Sequence, residues 1–270
     1  MVMKQTGCTA HTLLQSFRMK VQTAFQKVWR AVILDLDGVV TRTASLHAQA
    51  WKRLFDEFLA TRPLDEAARG PFDEKRDYFR YVDGKPREDG VRSFLESRGI
   101  SLPHGSHSDD PHSETCHGLG NRKDGYFKEL LRQKGPEVFE DAVDALHQWR
   151  SQGLKTAVAS SSKNCGEILE LADLHRLFDV RVDGTHLQEW GMPGKPAPDM
   201  FLAAAAALET PPEDCILVED AIAGIEAARK GHFGYIVGVA RHDDYEMLRD
   251  AGADRVVSKL TEIPFRKEAA

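Results

Sequence analysis

The sequence predicts an α/β fold: a doubly wound, Rossmann-like parallel sheet core with an inserted α-helical cap. Three observations predict it. Short apolar runs rich in β-branched residues recur at 31–34, 156–159, 180–182, 216–218 and 235–239, with a further short one at 255–257. Runs of that length without polar alternation read as parallel strands buried on both faces. Helical periodicity fills the intervals, so each strand feeds a crossover helix. The first crossover alone is interrupted, by residues 44–137, which divides the chain into a core of 31–43 and 138–270 and a cap of 44–137.

Residues 1–30 read as an N-terminal extension. They hold no Asp or Glu but include Lys4, Arg18, Lys20, Lys27 and Arg30, while Leu13, Phe17, Val21, Phe25 and Val28 fall on one helical face. An extra helix packing on the core or on a second subunit fits this pattern, with an organelle transit peptide as the alternative. The first strand then runs into Asp35-Leu36-Asp37-Gly38. Side chains alternate along a strand, so Asp35 and Asp37 leave it on one side, and Gly38 permits a sharp turn beyond them. Carboxylates so crowded repel unless a cation lies between them, and an oxygen-lined Mg²⁺ site resolves that conflict. Taken alone, an ordinary acidic turn explains the pair equally well.

From 44 to 137 the pattern is helical with polar loops. Within it, 102–118 gathers His104, His107, His112, Cys116 and His117 among Ser, Pro, Asp and Gly, without periodicity. This reads as a mobile cap loop, with a zinc site as the alternative. The core resumes with a helix over 138–150, where Val143, Leu146 and Trp149 recur at helical spacing. The strand at 156–159 delivers Ser160-Ser161-Ser162, in which Ser160 could donate to a phosphoryl oxygen or simply cap the next helix. Gly194-Lys195-Pro196-Ala197-Pro198-Asp199 sets a lysine in a rigid turn before an alanine-rich helix over 198–208. Its ammonium could neutralise a phosphoryl group, or be a solvated surface charge. The strand at 216–218 ends in Glu219-Asp220, with Gly224 and an amphipathic helix beyond. Open parallel sheets bind ligands at the carboxyl ends of their strands, where all of these groups gather.

Composition narrows the function classes. With 270 residues, 41% hydrophobic and 29% charged, the chain can bury a sizeable core in one or two domains. A net charge of −6 leaves no electrostatic footprint for nucleic acid, and no apolar run approaches membrane-spanning length. Four cysteines without paired spacing suit reduced thiols and a cytoplasmic location.

Strand-acid-acid, strand-hydroxyl, turn-lysine and strand-acid-acid, in that order over about 31–257, resemble the haloacid dehalogenase superfamily of phosphotransferases. Finer features resemble its beta-phosphoglucomutase subfamily. They are Thr43 and His47 after the second aspartate, Ser160, Lys163 and Asn164, the Lys-Pro-Ala-Pro-Asp turn, and Val82-Asp83-Gly84-Lys85-Pro86-Arg87-Glu88-Asp89-Gly90. Leu119-Gly120-Asn121-Arg122-Lys123 resembles a segment of that subfamily's cap helix. Two residues depart from the pattern: Arg42 stands where many relatives carry an acid, and Asp83 replaces a basic or neutral residue. Both bear on which sugar is bound.

The resemblance implies phosphoryl transfer through an aspartyl-phosphate. Asp35 would be the nucleophile, and Asp37 the general acid and base on the sugar hydroxyl. Crowding of the two would keep one protonated part of the time. Ser160 and Lys195 would stabilise phosphoryl charge, while Mg²⁺ would be held by Asp35, the Asp37 carbonyl and Asp220, with Glu219 in support. Thr43, His47, Arg87, Lys123, Lys163 and Asn164 would bind a sugar phosphate. The implied activity interconverts β-glucose 1-phosphate and glucose 6-phosphate, with a sugar-phosphate phosphatase as the alternative. A non-catalytic phosphosugar-binding protein fits the intact acid set poorly. No nucleic acid or membrane partner is expected, and the chain is expected to be a monomer or weak homodimer.

Overall fold

The computed structural model describes residues 27–62, 70–241 and 244–263. Its strands are β1 (Ala31–Leu34), β2 (Lys155–Ser160), β3 (Val180–Asp183), β4 (Cys215–Glu219), β5 (Tyr235–Val239) and β6 (Arg255–Val257). They form one sheet in the order β3-β2-β1-β4-β5-β6, every pairing parallel. Strand order reverses between β1 and β4, the kind of switch point at which α/β sheets bind ligands. Leu34 lies level with Val158 and Val218, so the residues that follow each strand emerge side by side.

Burial on both faces explains the unbroken apolar runs. Val32, Leu34, Val158 and Val218 pack with Leu146 and Trp149 on one side. Ala31, Ile33, Ala157 and Leu217 pack with Met200, Phe201 and Ile225 on the other. The strands exceed their expected apolar stretches by Lys155, Ser160, Asp183, Cys215 and Glu219, because ladder bonds continue past the point where side chains turn polar. The helix expected over 138–150 is Glu140–Ser151. Val138 is taken up in an antiparallel bridge with Thr41, and the Phe139 amide donates to the Val40 carbonyl at 3.0 Å. The alanine-rich helix runs Asp199–Ala207.

The insertion after β1 contains the helices Ala44–Ala60, Arg87–Ser97 and Cys116–Lys134 and a π-helical turn, Tyr78–Val82. Its own core is aromatic: Phe55 and Phe94 lie 4.1 Å apart between ring centroids, with Phe72 edge-on to Phe94. Leu46 and Ala50 from its first helix, and Phe127 and Leu131 from its last, also join the cluster that covers the sheet. Packing therefore crosses the boundaries expected at 43/44 and 137/138. The His-rich stretch is a loop up to Thr115, where the helix Cys116–Lys134 begins, and it is pinned by Asn121 Nδ2 to the carbonyls of His107 and Asp109 and by Arg122 Nε to Pro111. His104 and His117 meet edge to face at 4.7 Å, and no group of three His, Cys, Asp or Glu able to hold a metal occurs among the described residues. The zinc alternative thus finds no ligand set there.

Of the N-terminal extension, residues 1–26 lie outside the described residues. Trp29 belongs to the core, stacked on Tyr235 with 5.8 Å between centroids. Cys116, Cys165 and Cys215 are buried and free. No helix among the described residues is long and apolar enough to cross a membrane.

Candidate active site

The carboxyl ends of β1 and β4 bring four acids to one place. Asp35 follows the last residue of β1, its amide bonded to the Val218 carbonyl at 3.0 Å. Lys195 reaches across from its turn and donates to Asp35 Oδ1 at 2.5 Å and to Glu219 Oε1. Both acids and the lysine are buried. Glu219 Oε2 also accepts from the Ala221 amide at 2.7 Å. Two glycines make this arrangement possible. A Cβ on Gly38 (φ +88°) would lie 1.8 Å from Asp220 Oδ2, and one on Gly224 would lie 1.9 Å from Glu219 Oε1.

Electrostatics separates these carboxyls. Burial pushes Asp35 well above the usual carboxylate range; Lys195 pulls it down, while Glu219 and Asp37 add to the rise. Asp220 is likewise raised, by burial and then by Asp83, Glu219 and Asp35. Asp37 goes the other way. Burial alone would raise it, yet His47, Thr43 and Lys123 together hold it at about 2. The two carboxyls are thus driven in opposite directions, Asp35 up and Asp37 down.

Asp37 has a dense polar surrounding. Thr43 Oγ1 donates to its Oδ1, with Thr41 and Thr43 hydroxyls 2.6 Å apart behind it. Ser160 Oγ donates to Oδ2 at 3.2 Å while accepting from the Ser162 amide at 3.1 Å. Ser160 Oγ thus stands beside Asp37 at the strand ends. His47 Nε2 lies 3.3 Å from Asp37 Oδ1, off the hydrogen-bond line. Its ring is stacked on Phe127 at 3.9 Å, and its Nδ1 faces Lys123 Nζ. Burial, then Lys123, lowers the imidazole below its ordinary value. A neutral ring accepting from Lys123 on Nδ1 keeps its proton on Nε2, toward Asp37. Lys123 is itself brought down to about 7, by burial first and then by Arg87.

Part of the cleft is basic. Arg87 starts its helix and pairs with Asp124 Oδ1 at 3.2 Å, and its stem crosses Gly120, where a Cβ would stand 3.0 Å from Arg87 Cγ. Asn164 Nδ2 donates to the same Asp124 oxygen at 2.7 Å, and Lys163 Nζ donates to Gln188. Burial raises Asp124, but Arg87, Asn164 and Lys128 outweigh it and hold the acid at about 2.

One cleft is lined by Asp35, Asp37, His47, Ser160 and Asp220 together with Arg87, Lys123, Lys163 and Asn164. Thr43, Lys195 and Glu219 support that lining from behind. Arg42 lies elsewhere, over the Phe139 ring and 4.0 Å from Glu137. Its departure from the family pattern therefore does not reach the cleft. Sequence reasoning missed Trp51, Tyr78, Asp124 and Ser161, all in the lining. Asp124 reads in sequence as half of a helical surface pair with Lys128 (i,i+4), and Trp51 and Tyr78 as core. No local signal marks them.

Four carboxylates and a backbone carbonyl make a hard-oxygen set suited to Mg²⁺. The described side chains do not close into a cage by themselves, since Lys195 binds two of the acids. The strong upward shifts of Asp35 and Asp220 are those a divalent cation would relieve.

A model of haloacid dehalogenase-like hydrolases matches residues 29–232. The chain is 47% identical over 238 residues to the beta-phosphoglucomutase of Mycobacterium tuberculosis, covering 87% of this chain and 91% of that one. It is 30% identical over 230 residues to a phosphorylated carbohydrates phosphatase of Thermotoga maritima, covering 84% and 93%. Among solved structures, beta-phosphoglucomutase from Clostridium difficile superposes with a TM-score of 0.67 at 26% identity, covering 88% of this chain and 94% of that one.

Proposed function

Because the chain belongs to the haloacid dehalogenase-like hydrolases, and is an enzyme of phosphotransferase or phosphatase type, we propose that it interconverts β-glucose 1-phosphate and glucose 6-phosphate. The observation that carries this reading is a cleft whose lining has enough cationic and donor groups for two phosphates. Ser160 and Lys195 stand with the acids; Arg87, Lys163 and Asn164 add further groups. Hydrolysis of a monophosphate needs only the first set, whereas a sugar bisphosphate uses both. Identity to beta-phosphoglucomutases supports the same reading.

Asp35 attacks the phosphoryl group and forms the aspartyl-phosphate, with Lys195 and Ser160 neutralising the transferring oxygens. Asp37 enters as a carboxylate and takes the proton of the sugar hydroxyl as that oxygen accepts the phosphoryl group. Protonated, it gives that proton to the other sugar oxygen, which leaves as Asp35 takes the second phosphoryl group of the bisphosphate. His47, held by Phe127 and Lys123, keeps Asp37 oriented and charged. Residues 44–137 act as a cap whose contacts with the core exclude water. Asp35, the Asp37 carbonyl and Asp220 would hold Mg²⁺, with Glu219 and Lys195 fixing Asp35 from behind. When bound, the cation supplies positive charge to the phosphoryl oxygens. Three buried free thiols fit a reducing compartment such as the cytoplasm, and a monomer or weak homodimer completes the reading.

Supplying β-glucose 1-phosphate with a trace of glucose 1,6-bisphosphate, and following glucose 6-phosphate and free phosphate together, tests it. Glucose 6-phosphate as the main product is expected. Free phosphate with no isomerised sugar transfers the assignment to the phosphatase reading, which the likeness to a carbohydrate phosphatase favours.

A further inference from the structure

One face of the helix Cys116–Lys134 is given over to holding Arg87. Gly120, Asp124 and Lys128 recur at every fourth position, so they lie one above another on that face. Glycine is unfavourable inside a helix, and here its missing side chain lets the Arg87 stem pass. A Cβ on Gly120 would stand 3.0 Å from Arg87 Cγ and 3.2 Å from Cδ. One turn on, Asp124 Oδ1 lies 3.2 Å from Arg87 Nη1. One turn further, Lys128 Nζ holds the other carboxylate oxygen at 3.1 Å.

The same Asp124 Oδ1 accepts from Asn164 Nδ2 at 2.7 Å. Asn164 is a buried core residue directly before the helix Cys165–Leu171, whereas Arg87 opens the helix Arg87–Ser97 of the insertion. One oxygen therefore joins a cation of the insertion to an amide of the core. The Asp124 and Arg87 side chains are only 17% and 14% exposed, so an acid there is costly unless it is paired. Burial opposes its charge, and Arg87, Asn164 and Lys128 together overcome that. Asp124 faces one nitrogen of each partner. The remaining N–H groups of the guanidinium and the amide can meet an anion in the cleft that all three residues line.

We propose that Asp124 is a positioning residue, which fixes Arg87 and Asn164 relative to each other so that together they grip a phosphate of the sugar phosphate. This rests on the sugar-phosphate reading of the cleft. An acid has the wrong charge to touch a phosphate itself, so its effect passes through its two partners. The sign of the effect separates this role from plain electrostatics. A carboxylate that merely repelled the substrate would, once neutralised, give tighter binding; a positioning carboxylate gives weaker binding.

The test measures KM and kcat for β-glucose 1-phosphate, with glucose 1,6-bisphosphate present, in the full chain and in Asp124→Asn, Arg87→Ala and the double variant. Asp124→Asn keeps the shape and removes the charge. KM is expected to rise about 10-fold while kcat changes less than about twofold. In the Arg87→Ala background the same substitution should lower kcat/KM by less than about threefold, because its partner is gone. Phosphorylation of Asp35 by acetyl phosphate, which carries no second phosphate, reports on the rest of the site. An unchanged or lower KM in Asp124→Asn, or the full 10-fold loss in the Arg87→Ala background, overturns the inference. So does a parallel loss of the acetyl phosphate reaction and of Tm, which would make Asp124 structural. Asp124→Ala, which leaves no amide to clash with Arg87, decides if the asparagine variant fails to fold. Absence of turnover on every sugar phosphate by a wild-type enzyme still phosphorylated on Asp35 removes the sugar-phosphate reading and this inference with it.

Discussion

Ser161 donates its hydroxyl to the Gly84 carbonyl at 2.8 Å, tying the loop after β2 to the loop after the π-helical turn. Ser160 and Asp83 are their immediate chain neighbours, so one bond sets a core residue and an insertion residue relative to each other. Ser161→Ala removes about 1 kcal/mol. KM for the sugar phosphate is expected to rise about fivefold with a smaller change in kcat, while acetyl phosphate hydrolysis stays as it was. An equal loss on acetyl phosphate in steady-state assays would show general damage to the β2 loop instead.

Asp35→Asn keeps the shape of the nucleophile and removes its attacking charge. The variant should fold, since Lys195 retains Glu219 as a partner, and should form no phosphoenzyme detectable by mass spectrometry. Substantial phosphoryl transfer by it would mean that the nucleophile is misassigned.

Removal of divalent cations should abolish turnover, and added Mg²⁺ should restore it, because Asp35 and Asp220 are buried acids raised by burial and by neighbouring acids. Full activity in metal-stripped protein, checked by elemental analysis, would contradict the assignment of these oxygens to a cation.

Arg87 is largely buried, is paired with Asp124 and lines the cleft. Arg87→Ala is expected to cost about 2–5 kcal/mol in kcat/KM for the sugar phosphate, part of it from leaving Asp124 less well paired. Hydrolysis of acetyl phosphate, which carries no second phosphate, should change little. Equal losses on both substrates would make Arg87 structural.

Lys123 is lowered to about 7, by burial above all and then by Arg87. In the unfolded chain it holds its proton up to about pH 10.4. Between these values the unfolded chain binds the extra proton, so the contribution of Lys123 to stability rises with pH across that window and is least favourable below about 7. A sugar phosphate brings negative charge to this ammonium. Binding at pH 8 should therefore take up as much as about one proton, read by calorimetry in buffers of different ionisation enthalpy. No uptake in the wild type, or the same uptake in Lys123→Met, would refute the shift.

The sequence by itself determined the parallel sheet and the residues at its strand ends. Apolar runs as short as 31–34 and 216–218 can be buried on both faces only in such a sheet, and alternation along a strand puts Asp35 and Asp37 on one side. The family pattern extended this to His47, Arg87 and Lys123, whose spacing alone would suit a surface helix equally well. Tertiary structure decided what those groups do to one another. Which of the two aspartates is pushed up and which down depends on burial and Glu219 around Asp35, against the pull of Lys195 160 positions away, and on the Thr43–His47–Lys123 surround of Asp37. Asp124 became the organiser of Arg87 and Asn164, and Asp83 turned into the cleft, only because the insertion folds back on the core. Local propensity and periodicity report each residue's own element. The energy of a buried charge is set by neighbours that the chain brings together from far apart, and that information exists only in three dimensions.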